Sequence, residues 1–258
     1  MPFSRAAAAQ RIPVIVGSII TEVRLAASFL TILPVGIHSA NIGDVAASYG
    51  WFPLIGFMLG GVLASADYLL AAFMSVPVRS TLLIAGLTVI TGAVHLDGLA
   101  DTADALGAWR DPERALEILR DSRIGTFGAA AVFLVLALKV VALASAAHAR
   151  PTALFLAPGI ARWAMVALSY KLNYLREHGA GSALLGVQDQ RNLRLASIIS
   201  LVALLPAGGA AIRAIFPAII LVGIFRLFYA RWLGGITGDL LGAGGEFVEA
   251  AVLVAVTS

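Results

Sequence analysis

TLLIAGLTVITGAVHLDGLADTADAL, residues 81–106, is the stretch on which the fold turns. Its apolar run, Thr81–Val94, passes without a break into Asp97, Asp101 and Asp104. Read as one helix over 80–106, spacings of four and seven residues put the three carboxylates on a single stripe. An aspartate at bilayer depth costs roughly 2.5–3.5 kcal/mol, and like charges four apart repel. A bare stripe of three is therefore unstable, and a cation is expected on it. Oxygen-only ligands suit Mg²⁺, which keeps several waters and takes substrate phosphates alongside a few carboxylates. The stretch predicts a metal-phosphate site where a membrane helix meets water.

The rest of the composition agrees with that setting. Hydrophobic residues make up 60% of the 258 and charged residues 13%, and mean hydropathy is +0.92, far from soluble averages. The fold class expected is all-α, a polytopic transmembrane bundle in one integral membrane domain over residues 1–258. Helices of about 20 residues, enough to cross ~30 Å of hydrocarbon, use up most of the chain. Of 18 basic residues only Lys139 and Lys171 are lysines. Arginines scattered through short loops read as topology signals and phosphate binding rather than a nucleic-acid patch. The absence of cysteine excludes disulfides and thiolate chemistry. Ile12–Leu33, interrupted by Glu22 and Arg24, gives no cleavable signal peptide.

Spans are predicted at 52–74, 80–106, 127–147, 152–172, 193–212, 214–233 and 239–257. These make about seven, with Ile12–Leu33 as an interfacial or re-entrant helix. Breakers stand at Pro34, Pro77, Pro151 and Gly179–Gly181. Arginine-rich loops mark the cytoplasmic side, here Gly107–Thr126 and Lys171–Arg194. Two crossings separate these loops, and two more bring the chain back to Leu233–Phe247. That parity puts the C-terminal motif GGITGDLLGAGGEFVE on the aspartate side. In it Asp239, Glu246 and Glu249 share a helical face, and glycines allow a close crossing. The alternative is glycine packing with carboxylates snorkelling to water, which requires neither Asp239 nor Glu246.

Between the acidic motifs, Asp111 and Pro112 form a helix start and Ala115, Leu116, Ile118 and Leu119 an amphipathic surface. Arg114 and Glu117 read as its interfacial anchors. Asp121, Ser122, Arg123 and Gly125 read as a cluster able to hold phosphate oxygens.

HLDGLADTADAL (95–106), RDSRIGTFG (120–128) and TGDLLGAGGE (237–246) together resemble cobalamin synthase, the membrane-bound adenosylcobinamide-GDP ribazoletransferase family. FLTILP at Phe29–Pro34, WFPLIGFMLGG at Trp51–Gly61 and ARWAMV at Ala161–Val166 extend the resemblance over almost the whole chain. One departure is Ile32, where many relatives are expected to carry a basic residue. The resemblance implies an enzyme that joins adenosylcobinamide-GDP to α-ribazole or its 5′-phosphate and releases GMP. It also implies Mg²⁺ and a bacterial cytoplasmic (inner) membrane setting, with the active site facing the cytoplasm and lipid around the bundle. An oligomer is compatible with it. In-line transfer of this kind needs charge neutralisation more than covalent help. On this reading Asp97, Asp101, Asp104, Asp239 and Glu246 hold one or two Mg²⁺, and Arg123 and Arg162 stabilise the leaving group.

His95, two residues before Asp97, is equally a catalytic base and a hydrogen-bonded support for a carboxylate. His38, His148 and His178 lack partners at ligand spacing. Asp67 and Lys139 fall mid-span, either as an ion pair or each facing an internal cavity. Glu22 and Arg24 either pair locally or face the site. Arg162, after the Pro158–Gly159 kink, either points into the site or serves as an interior ion-pair partner. Two other classes use intramembrane acids. A transporter would carry them near the midplane, often with internal symmetry, and none is evident here. A CDP-alcohol phosphotransferase would show an Ala-Arg pair and longer spacing after Asp97-Gly98.

Overall fold

The computed structural model describes residues 19–36, 42–176 and 190–258. His38, His178, the first residues of Ile12–Leu33 and the break at Gly179–Gly181 lie outside them. Among the described residues every regular element is helical apart from one isolated parallel bridge, Tyr174 with Ile236. In chain order the helices are α1 (Ile19–Leu30), α2 (Ile42–Ser48), α3 (Phe52–Leu70), α4 (Val76–Ile90), α5 (Val94–Ala105) and α6 (Pro112–Ile118). They continue with α7 (Thr126–Ser145), α8 (Arg150–Ser169), α9 (Gln190–Leu204), α10 (Gly209–Trp232) and α11 (Gly238–Thr257).

Proline sets several of the helix starts. Pro53, Pro77, Pro112 and Pro151 each occupy the first turn of a helix, where a missing N–H costs nothing and the fixed φ is already helical. Asp111 is the cap foreseen for α6, accepting from the Arg114 N–H at 3.0 Å. Burial divides the bundle into centre and periphery. In their most apolar windows α8 is 78% and α11 72% buried, whereas α7 is 28% and α10 17% buried. The outer helices show Phe133, Leu134, Phe216 and Ile219 to the surroundings, as lipid-facing surfaces require.

Among the described residues five helices are long and apolar enough to cross a membrane, the first running over Gly43–Leu70 through a 3₁₀ turn at Tyr49–Trp51, and a sixth candidate is the pair α4 and α5 taken together. That pair corrects the single straight span expected over 80–106. The axis bends by 90° between Ile90 and Val94, where Gly92 (φ 62°) and Ala93 (φ 55°) are both left-handed. Ala93 is the costly member, since an L side chain resists this region. The N–H of Ile32 reaches across to the Ile90 carbonyl at 2.9 Å, so FLTILP braces the bend. The expected span 193–212 is also divided. α9 ends at Leu204, a short 3₁₀ turn follows, and Gly208 (φ 53°) precedes α10. The described part of α9, 15 residues, is about 22 Å long.

Candidate active site

At one end of the bundle a cavity of about 810 Å³ opens among four segments that are far apart in sequence. α5 contributes Asp97 and Asp101, the turn after α6 contributes Leu119–Ser122, the chain after α8 contributes Leu175 and Arg176, and α11 contributes Asp239. α5 and α11 meet almost backbone to backbone. A Cβ on Gly98 would lie 2.7 Å from the Asp239 carbonyl oxygen, and one on Gly242 would lie 3.1 Å from the Cα of His95. The first position admits no side chain, so the acidic stripe of α5 faces the start of α11 because residue 98 is glycine.

Local chemistry fixes the α11 end. Thr237 caps the helix, accepting from the Leu240 N–H at 3.3 Å, and its hydroxyl donates to Asp239 Oδ2 at 3.2 Å. Asp239 stands in the first turn, where unpaired N–H groups favour negative charge. Residues 173–175 run beside Ile236: its N–H donates to the Asn173 carbonyl at 2.8 Å, and the Leu175 N–H donates to its carbonyl at 3.0 Å. The next residue, Arg176, donates from Nη2 to Asp239 Oδ2 at 2.5 Å and to the Leu119 carbonyl at 2.6 Å. No such partner is found for Asp97 or Asp101. Among the described residues neither side chain makes a hydrogen bond or an ion pair. The cavity thus carries four carboxylates, Asp97, Asp101, Asp121 and Asp239, with Arg176 bound to the last and Arg120 also in the lining.

A family-model comparison matches residues 22–257 to cobalamin-5-phosphate synthase. The chain belongs to that family. A protein of Syntrophobacter fumaroxidans named adenosylcobinamide-GDP ribazoletransferase is 41% identical over 242 residues, covering 89% of this chain and 95% of its own. Proteins of the same name from Roseiflexus sp. and Escherichia coli are 37% and 38% identical, covering 89% and 88% of this chain and 86% and 96% of theirs. No solved structure matches the chain.

Against this family background, the residues expected at the site separate into two groups. Asp97, Asp101, Asp121, Ser122 and Asp239 line the cavity. Asp104 does not. It turns to the N-terminus of α7 and accepts from the Gly125 N–H at 2.7 Å and the Gly128 N–H at 2.9 Å. Gly125, expected to hold phosphate, thus has its N–H engaged by Asp104, and a Cβ at Gly125 or Gly128 would run into that carboxylate. The glycines of RDSRIGTFG make room for a capping side chain that comes from another helix. Arg123 is 87% exposed and forked onto Asp121, Nε to Oδ1 at 3.0 Å and Nη2 to Oδ2 at 2.6 Å. That pairing pulls the Asp121 carboxyl down to about 2.

Glu246 lies deeper on α11 and is also away from the cavity. It accepts from Lys139 Nζ of α7 at 2.5 Å, and the same ammonium donates to Glu249 at 2.7 Å. Arg162 of α8 closes the set with an ion pair to Glu249, its other nitrogen 3.4 Å from His95 Nδ1. Arg162 and His95 are therefore interior partners and neither lines the cavity. The five-carboxylate metal cluster is not formed, because Asp104 is taken by α7 and Glu246 by Lys139. Among the described residues no three acids or histidines come together as a ready-made metal cage.

Asp67 and Lys139 are not paired. Asp67 accepts both Nε and Nη2 of Arg150, at 2.9 and 2.7 Å, with Arg79 3.6 Å away. At the site end Glu22 accepts from Trp51 Nε1 at 2.8 Å and sits 3.5 Å from Arg191. Arg24 donates to the Val35 carbonyl at 2.8 Å. Arg176 was legible in sequence only as one loop charge among several. Its neighbour in the chain, Glu177, is an acid far closer in sequence than Asp239, so spacing gave no clue to the partner it takes.

Proposed function

We propose that this chain joins adenosylcobinamide-GDP to α-ribazole or α-ribazole 5′-phosphate, releasing GMP, with Mg²⁺ as its cofactor. The supporting observation is the pair of unpartnered carboxylates, Asp97 and Asp101, facing Asp239 across one cavity in a member of this family. An all-oxygen donor set suits Mg²⁺, and the lack of a closed cage agrees with an ion that binds through one or two carboxylates plus substrate phosphates. Asp97, Asp101 and Asp239 would hold it. When bound, it neutralises charge on the pyrophosphate.

Arg120 and Ser122, which also line the cavity, hold phosphate oxygens by charge-assisted and neutral hydrogen bonds. The ribose hydroxyl attacks the cobinamide-side phosphorus. A new P–O bond forms there, the bond to the bridging oxygen breaks, and that oxygen leaves on the phosphate of GMP. The hydroxyl proton passes to a cavity carboxylate, since His95 faces Arg162 instead of the cavity. The acids also sit at an end of the bundle, as an enzyme acting on water-soluble nucleotides requires and a carrier with a midplane site does not.

The site end is assigned to the cytoplasmic face of a bacterial inner membrane. Arg110, Arg114, Arg120, Arg123, Arg191 and Arg194 gather at that end, whereas Arg79 and Arg150 at the other are buried against Asp67, a positive-inside distribution. Bilayer lipid covers the exposed apolar faces of α7 and α10. The test is purified protein in detergent with adenosylcobinamide-GDP and α-ribazole, following GMP release with Mg²⁺ and with a chelator. Mg²⁺-dependent release is expected. No release under either condition overturns the reaction, and undiminished release in chelator overturns the metal.

A further inference from the structure

We infer that Arg176 is a resident counter-ion for Asp239, which leaves that carboxylate for the substrate pyrophosphate when a divalent cation arrives. The inference rests on the phosphoryl-transfer reading above and assigns a residue to it. Three features of Arg176 carry it. First, the guanidinium uses a single nitrogen, Nη2, for both of its contacts, to Asp239 Oδ2 and to the Leu119 carbonyl. Arginine has five N–H donors in a planar fork, and among the described residues Nε and Nη1 make no hydrogen bond. Among the described residues, most of its donor capacity is unused beside the cavity.

Second, the pair is only part-buried, with side chains 29% and 16% exposed. It can open at far lower cost than the Lys139 ion pairs, whose side chains are 2–8% exposed. Third, the charges balance in a particular way. Asp97, Asp101 and Asp239 carry three negative charges against Arg120 and Arg176 in the same lining, Asp121 being paired with Arg123, so a divalent ion takes the set to a net positive charge. Once that ion takes Asp239, the arginine is surplus, and the nearest anion able to accept a fork is a phosphate. The contact to the Leu119 carbonyl ties the same arginine to the turn that carries Arg120 and Ser122, so its release also frees that turn to adjust around the phosphates.

A purely structural tether predicts the opposite sign for metal binding. The experiment is Mn²⁺ titration by electron paramagnetic resonance, without nucleotide, on wild type, Arg176→Gln and Arg176→Lys in detergent. Binding of inorganic pyrophosphate is then measured in saturating Mn²⁺. Arg176→Gln is expected to bind Mn²⁺ about 10-fold more tightly, because a competing cation is gone, and pyrophosphate about 10-fold or more weakly. Arg176→Lys keeps the charge and loses the fork. It is expected to hold Mn²⁺ within about twofold of wild type while still losing pyrophosphate affinity.

Unchanged or weaker Mn²⁺ binding in Arg176→Gln overturns the inference, as does pyrophosphate affinity equal to wild type in both variants. If Arg176→Gln does not fold, Arg176→Lys decides alone: pyrophosphate bound as in wild type overturns the inference. Wild-type turnover separates the two levels. GMP release with none of these differences removes the role of Arg176 only, and no GMP release removes the reaction itself.

Discussion

Asp239 and Glu249 stand on one helix, ten residues apart, and illustrate two uses of the same chemistry. The deeper region, around Glu246 and Glu249, is closed: two carboxylates meet Lys139 and Arg162, every member is buried, and the formal charges sum to zero. The region at the helix start is open: Asp97, Asp101 and Asp239 share a water-accessible cavity with one part-buried arginine. A fully paired buried set organises a fold, because removing any one member strands a charge in low dielectric. An underpaired set at a surface is unstable alone and suits a ligand that arrives with the missing charge. The difference lies in what faces each acid, not in the acid itself.

The sharpest way to break the comparison is to neutralise one acid of each region. Asp101→Asn is expected to lower transfer by at least about 10³-fold while leaving the thermal unfolding midpoint in detergent unchanged or higher, since a repulsion is removed. Retained turnover in that variant would erase the distinction. Lys139→Met is expected to do the reverse in kind, lowering stability by about 3–5 kcal/mol through the unpaired Glu246. Adding Glu246→Gln should restore most of the loss, because Glu249 then keeps Arg162 in a neutral pair. A double variant no more stable than the single would show that the quartet is not an electrostatic unit.

Asp104 belongs with the structural group despite its place in the aspartate stripe, and Asp104→Ala tests that. A lost cap predicts a stability decrease of about 1–2 kcal/mol, read by thermal unfolding, with transfer per folded molecule changed by less than about threefold. A collapse of turnover at unchanged stability would return Asp104 to the chemistry. The smallest effect is expected from Arg123→Gln. Its partner Asp121 has a carboxyl held at about 2 by the arginine, so the charged form is favoured in the fold and that contribution fades only as pH falls toward this value. Without Arg123 the carboxyl should titrate nearer ~3.9 by NMR, and transfer near neutral pH should change less than about threefold. A large loss would mean that Arg123 swings from solvent to the phosphates.

Much of this arrangement was legible in the chain because it rests on local rules. Helix starts followed prolines and Asp111, the apolar segments marked the long helices, and positive loops put both acidic motifs at one end. What escaped detection depends on contacts between helices. Asp104 sits on the same stripe as Asp97 and Asp101, and no periodicity could show that two glycines of another helix draw it away. Glu246 shares a face with Asp239, but Lys139 is more than a hundred residues distant in sequence. The bend at Gly92–Ala93 was hidden as well, because apolar character continues through it and alanine is a helix former that here adopts a left-handed backbone. Arg162 and Asp67 were seen as intramembrane charges whose partners could not be chosen.

The neutral quartet has a consequence for how the protein is made. Ribosomal synthesis delivers α7 with Lys139 and α8 with Arg162 well before α11, which brings both anions. During that interval two cations wait in or beside the bilayer without their counter-charges, a state that costs several kcal/mol. Arrival of α11 relieves it and, in the same docking event, sets Asp239 against Gly98. A nascent chain interrupted before Glu246 therefore carries an unrelieved electrostatic defect at Lys139 and Arg162.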